Sequence, residues 1–358
     1  MTKKLRAGVV GVGMGGAHIN GFNQHPNVEV VALADVNKER MEERNKEFCI
    51  KKLYTSAKKM FTQEKLDIVS IAVPNKFHKT LTIAALESGA HVLCEKPMAL
   101  NAAEAEEMLA VAEKNNCKLM INFSFRFTPQ AYAMKKEVES GILGEIYFAR
   151  SIWHRRRGIP GFSTSTFGAQ TAKPGGWFFD KKLSGGGPLI DLGVHRLDLA
   201  LWLMGYPEPD TVFASTYDKL ASKMAAERDV SYNVEDLATA MIKFKNGATL
   251  NLEASWAANI KENEMMETRL LGTEGGMVQK NLNESYTFDM EVFTEENGSL
   301  YDKVLHPVPT VVPSSYYAFA EAVYNEQPVP APGSEGLTVM RLLDAIYASA
   351  QSGTPVKL

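Results

Sequence analysis

The sequence predicts a doubly wound parallel α/β sheet followed by a second, α+β domain with a large open, mainly antiparallel sheet. Three observations carry that reading. The chain opens on a strand, glycine turn, helix and strand between Arg6 and Asp35. Near-continuous apolar runs then alternate with helical stretches as far as about residue 125. Past that point the segments alternate apolar with polar residues, as antiparallel strands do. A chain of 358 residues is also too long for one ordinary core, so two domains are expected, 1–124 and 125–358, with the terminal helices free to pack back on the first.

The opening unit reads RAGVVGVGMGGAHINGFNQHPNVEVVALAD. Ala7 to Val10 suffice for a buried strand, Gly11, Gly13 and Gly16 follow at G-x-G-x-x-G spacing, and Ala17 to Phe22 continue with helical character. Val28 to Ala34 form the second apolar run, ending in Asp35. Gly11 permits the tight turn, Gly13 lets the backbone approach a pyrophosphate, and Gly16 lets the helix pack closely on the sheet. The helix N-terminus offers N–H groups and positive dipole to phosphates. Asp35, about 20 residues on, can accept both ribose hydroxyls and repel a 2′-phosphate. A glycine triplet alone is a weak signal; with both strands and the acid it is a dinucleotide-binding fingerprint. Val36 rather than an arginine follows Asp35, which favours NAD over NADP, with Lys38 and Arg40 nearby as the counter-signal.

The elements that follow keep the alternation. After a charged helix, Asn37 to Phe48, comes the apolar strand Leu66 to Val73, which ends in Pro74-Asn75. Phe77, Leu81, Ala84 and Ala85 lie at helical spacing, and Gly89 closes that helix. Ala90 to Cys94 is the next strand, ending in Glu95-Lys96-Pro97. Asn101 caps the following helix with Glu104 in capping-box position, and Lys118 to Phe123 gives one more strand. In the second part Ile146 to Arg156 and Thr211 to Tyr217 read as strands. Asp236 to Phe244 and Thr249 to Trp256 flank an Asn246-Gly247 hairpin signal. Glu267 to Leu271 and Met277 to Gln279 suggest another hairpin, and Tyr286 to Phe293 a further strand. Helices at about Ser314 to Asn325 and Glu335 to Ser352 close the chain.

Bulk composition removes several function classes. With 45% hydrophobic and 23% charged residues and a net charge of −3, the chain is neither mainly disordered nor built for nucleic acid or an anionic membrane. No apolar run approaches a membrane span, and the stretch after MTKKLR is broken by glycines, which argues against a signal peptide. Cys49, Cys94 and Cys117 form no C-x-x-C pair and no metal spacing with histidine, so they read as buried thiols of a cytoplasmic protein.

Three stretches can carry chemistry. Lys96, in Glu95-Lys96-Pro97, stands at the C-terminal end of a parallel strand, where ligands of open α/β sheets sit. There it can bond a nicotinamide ribose and a substrate hydroxyl, or move a proton; a surface lysine in a loop is the structural alternative. In GGGPLIDLGVHRLDLALWLMG, Asp191 and His195 are i and i+4 near a helix start that Pro188 favours. That pair suits a histidine acid/base beside a carboxylate, or a helix-capping pair; no third or fourth ligand accompanies it, so no metal is expected. Trp153 to Trp177 joins His154, Arg155, Arg156 and Arg157 to a Gly/Ser/Thr-rich loop containing Lys173, with the composition of a lid. On a strand His154 and Arg156 share one face, which can bind substrate or end in salt bridges. Arg126 follows the last strand of the first domain. Asn75 and His78 lie at another strand end, placed either to contact cofactor or to cap a helix.

GVGMGGAH, PNKFH, EKP and GGGPLIDLGVH, in that order and with a mixed second domain, resemble the Gfo/Idh/MocA oxidoreductases over essentially the whole chain. The resemblance implies a Rossmann domain, a C-terminal domain whose open sheet makes dimer or tetramer contacts, and hydride transfer between NAD(P) and a sugar, inositol or related polyol. It implies Lys96, Asp191 and His195 as catalytic residues. It implies cofactor contacts from Gly11, Gly13, Met14, Asp35, Asn75, His78 and Glu95; Gly16, Pro74 and Lys96 are expected beside them. Arg126, His154, Arg156, Trp177, Asp191 and His195 are the expected substrate contacts. Two alternatives within the same fold are an NAD-assisted glycoside-cleaving enzyme and a non-catalytic dinucleotide or sugar sensor.

Overall fold

Six short strands build the first sheet: β1 (Leu5–Val10), β2 (Val28–Ala34), β3 (Lys52–Tyr54), β4 (Ile68–Ile71), β5 (His91–Cys94) and β6 (Leu119–Ile121). All pair parallel in the order β3-β2-β1-β4-β5-β6, the doubly wound arrangement whose strand order reverses between β1 and β4. Their apolar runs are continuous because helices cover both faces. Every residue of β4 is buried, as are the last four of β1. The structure, a computed structural model, describes residues 4–162, 176–306 and 311–358. Contacts divide the chain into two units, one of residues 1–124 and 313–340, the other of 125–312 and 341–358. The helix Ser315–Tyr324 therefore returns to the first unit, its start capped by Ser314.

The second unit is built on nine strands: β7 (Ile146–Arg155), β8 (Pro209–Tyr217), β9 (Leu237–Phe244), β10 (Thr249–Ser255), β11 (Glu264–Gly272), β12 (Gly275–Asn281), β13 (Phe288–Glu296), β14 (Ser299–Val304) and β15 (Val356–Lys357). Their order is β14-β13-β12-β11-β7-β10-β9-β8-β15. Only β7 and β10 run parallel; all other neighbours are antiparallel. The Asn246-Gly247 hairpin joins β9 to β10 with Gly247 at φ 90°. Several elements escaped the sequence reading, among them the helices Ala57–Gln63 and Ala221–Ala226 and the three that follow. β14 follows a second Asn-Gly turn, Asn297 and Gly298, both at positive φ. β15 is only two residues long. The helix Pro129–Glu139 starts with Thr128 as cap and proline in its first turn.

One face of this sheet is covered by the helix Val194–Met204, tied down where Ser151 of β7 donates to the Arg196 carbonyl at 3.0 Å. Trp153, Leu192, Trp256 and Met266 form the core beneath it. The other face keeps Phe213 and Met241 exposed, at 44% and 45%.

Candidate active site

The glycine turn of the first unit is shaped by contacts that only glycine satisfies. Gly11 has φ 93°, and a Cβ there would lie 2.1 Å from the Ala72 carbonyl oxygen. A Cβ on Gly13 would meet nothing within 4 Å, so the backbone is open to an approaching ligand. Gly16 is different from its expected role: a Cβ there would make ordinary contact with Phe48 and Arg44, while the close approach to the sheet falls to Gly15, 3.2 Å from a Val9 methyl. Met14, at the cap of the helix Gly15–Asn23, is half exposed. Asp35 closes β2 with a nearly buried carboxylate that accepts from the Val12 amide at 2.9 Å and the Asn37 amide at 2.8 Å. Arg40, itself 57% exposed, donates to the same carboxylate at 3.0 Å. An open glycine backbone, a helix start and an acid at the end of β2 fit a dinucleotide.

The second and third loops of this unit are held by histidines. His78 is fully buried, with Nδ1 at 2.7 Å from the Pro97 carbonyl and Nε2 at 2.8 Å from the Val73 carbonyl. Burial pushes its pKa down, against the two carbonyls. His78, expected as a cofactor contact, sits between the Val73–Asn75 loop and the Lys96–Pro97 loop, where the single N–H of the neutral ring donates to one of the two carbonyls. Asn75 is buried at the start of a 3-10 turn, directly after the extended Pro74. His18 hydrogen-bonds Ser70 through Nδ1 and Glu95 through Nε2, the latter at 2.9 Å. Glu95 also accepts from Asn122 at 2.5 Å and from the Lys96 amide at 3.3 Å. Burial raises the Glu95 pKa, but His18 and Asn122 outweigh it and hold the carboxyl below its usual value. Lys96 thus leaves a loop whose acid is anchored in the core.

In the second unit the triple glycine receives a carboxylate. Glu235, buried, accepts from the Gly187 amide at 2.9 Å, the Leu189 amide at 3.1 Å and the Tyr347 hydroxyl at 2.9 Å. A Cβ on Gly187 would lie 2.1 Å from the Glu235 carbonyl oxygen. The acid caps the start of the segment that carries Asp191 and His195. Leu189–Gly193 is a π-helical turn rather than regular α-helix, and it runs into the helix Val194–Met204. Asp191 accepts from Trp256 Nε1 at 3.0 Å. The His195 ring packs at 5.0 Å from Phe125 and 5.9 Å from Trp153.

The arginine-rich strand presents the opposite parity from the one expected. Trp153 and Arg155 face the side of Asp191 and His195; His154 turns away, 3.4 Å from Glu253. Arg155 donates to Glu264 at 2.8 Å and to the Tyr286 hydroxyl at 3.0 Å. Burial opposes its charge, but Tyr286, Glu264 and Asp191 hold its pKa above the usual value. Arg156 is exposed, bonded at most to the Lys261 carbonyl at 3.4 Å. His154 and Arg156, expected as substrate contacts, thus lie apart from Trp153 and Arg155, as alternation along a strand requires. Arg126 is the other arginine expected as a substrate contact. It is buried, bonding Asp198 at 2.9 and 2.5 Å and Tyr206 at 2.5 Å, a structural ion pair. Trp177 stacks on Phe178 at 4.0 Å, and Phe178 meets Trp256 at 6.4 Å. Lys173 and the rest of 163–175 lie outside the described residues. Glu235, Trp256, Glu264 and Tyr286 were not singled out; Glu264 meets Arg155 only through the pairing of β11 with β7, which no local sequence signal announces.

Residues 5–123 match the model of an oxidoreductase family with NAD-binding Rossmann fold, and residues 135–358 match that family's C-terminal alpha/beta domain. D-glucoside 3-dehydrogenase of Escherichia coli K12 is 31% identical over 366 residues, covering 100% of this chain and 98% of its own length. Myo-inositol 2-dehydrogenase of Thermotoga maritima is 25% identical, covering 99% and 98%. An aldose-aldose oxidoreductase from Caulobacter crescentus, crystallised with glycerol, superposes with a TM-score of 0.81 at 25% identity over 99% of this chain and 100% of that one. On the fold of the two units, the motifs they carry and these matches, the chain belongs to the Gfo/Idh/MocA oxidoreductase family.

Proposed function

We propose that this protein is an NAD(P)-dependent dehydrogenase that oxidises a secondary hydroxyl of a sugar, glycoside or cyclitol. The observation that carries the substrate side is the placement of Asp191, His195 and Arg155 beside the partly exposed rings of Phe125 and Tyr286. Such a surface offers polar groups to hydroxyls and aromatic faces to the apolar side of a sugar ring. The likeness to D-glucoside 3-dehydrogenase supports a glycoside or related pyranose.

When bound, nicotinamide dinucleotide supplies the hydride carrier that no side chain can provide. His195 takes the hydroxyl proton as general base, with Asp191, fixed by Trp256, orienting it. Lys96 stabilises the developing alkoxide, and its own loop is held by Glu95 and His78. Asp35 receives the adenosine ribose, which supports NAD; Arg40 beside it supplies a cation that a 2′-phosphate would meet. No helix among the described residues is long and apolar enough to cross a membrane. Of the three thiols expected to be buried only Cys94 is, Cys49 being exposed and Cys117 half-buried; three cysteines that form no disulfide still support a cytoplasmic protein, and the exposed Phe213 and Met241 support a homodimer or homotetramer formed through the uncovered face of the second sheet. Lys96→Ala and His195→Ala should each lower kcat by about 10²-fold or more with the circular dichroism spectrum retained. Near-normal turnover in both would remove these residues from the reaction.

A further inference from the structure

Arg196 follows the proposed base in sequence, and its side chain is fully buried. Among the described residues no carboxylate pairs with it: one terminal nitrogen lies 3.5 Å from Thr268 Oγ1, the other 3.3 Å from Met266 Sδ, and Nε has no hydrogen-bond partner. Its guanidinium carbon stands instead over three aromatic rings, Phe125 at 4.6 Å, Trp153 at 5.3 Å and Phe288 at 5.5 Å. A buried cation held mainly by ring faces is expensive, and an apolar residue would fill this core at less cost. Burial pushes its pKa down to about 9, with Tyr286 and Glu264 opposing, so the group still carries its charge at neutral pH.

Two of the three rings, Phe125 and Trp153, are the ones that pack on the His195 imidazole. We propose that Arg196 is a positioning residue for His195: it braces Phe125 and Trp153 against the imidazole and holds that ring in its neutral, proton-accepting form. Asp191, on the preceding turn, favours the imidazolium, and an imidazolium cannot act as a base. Arg155 of β7 is matched by Glu264 of β11, the Tyr286 hydroxyl bonded to them is neutral, and Arg126 is matched by Asp198. Arg155 also faces Asp191, and Arg196 adds a second buried cation behind the rings that pack on His195.

The inference rests on His195 being the base, and its test is independent of turnover. The full chain is labelled with ring-¹³C histidine and its imidazoles are titrated by NMR; the His195 signal is the one lost in His195→Gln. Arg196→Gln should raise the His195 pKa by about one to two units, the size of one unit charge at ring-contact range in a partly screened interior. Arg196→Lys, which keeps the charge, should leave the His195 pKa within a few tenths of wild type. The acid limb of the kcat/KM profile should move upward with the glutamine variant. An unmoved His195 pKa in a folded Arg196→Gln protein, or an equal rise in the lysine variant, overturns the assignment. If the glutamine variant fails to fold, Arg196→Met, which fills the same volume without the charge, is titrated in its place with the same expected and refuting results. A protein that shows the shift but reduces no cofactor would refute the dehydrogenase reading while leaving this one standing.

Discussion

Replacing Glu235 by alanine should destabilise the second unit by about 3–5 kcal/mol. The acid is buried and accepts three hydrogen bonds, from the Gly187 and Leu189 amides and the Tyr347 hydroxyl. Each buried donor left without an acceptor costs about 1–3 kcal/mol. Burial also raises the Glu235 pKa, so removing the carboxyl recovers part of its desolvation and brings the sum below the simple total. All four tryptophans, Trp153, Trp177, Trp202 and Trp256, belong to the second unit. Urea unfolding followed by tryptophan fluorescence therefore reports on the relevant transition. Activity should fall as well, because the capped segment carries Asp191 and His195. A loss below about 1 kcal/mol would show that the triple glycine does not depend on this acid, and the account of how the pair is positioned would fail.

Two further predictions concern the first unit. Asp35→Ser removes the carboxylate that bonds ribose and leaves Arg40 unpaired, so the kcat/KM ratio for NAD over NADP should fall by at least about tenfold, or ~1.4 kcal/mol; an unchanged ratio refutes the role given to Asp35. Glu95 has a folded pKa below its unfolded value. The stability it contributes is therefore complete above about pH 4.3 and lost as pH falls through the folded pKa. Glu95→Gln should flatten the acid-unfolding profile in that window, and a profile as steep as wild type would contradict it.

How much of this was legible in the sequence follows from how local each signal is. The Rossmann turn is legible because backbone geometry demands it: Gly11 sits at positive φ against the Ala72 carbonyl, and no other residue serves there. Asp191 and His195 lie close together in one local motif, so their pairing could be read, although the π-helical turn beneath them could not. The parity of β7 was misread because His154 and Arg155 are both polar, and only the packing of Trp153 on His195 decides which faces the core. Glu235 and Glu264 are recognised through Gly187 and Arg155, whose positions relative to them are set only by folding. Arg126 looked like a ligand group because Asp198, which neutralises it, lies 72 positions away. β14 is different: its Asn297-Gly298 turn was a readable local signal.

The most direct test of the central claim is reduction of NAD, followed by absorbance at alkaline pH, with D-glucosides, free hexoses and cyclitols as substrates and NADP in parallel. NADH should form with at least one of these polyols and should not form in His195→Ala. No reduction with any of them, in a protein shown by thermal shift to bind NAD, would contradict it.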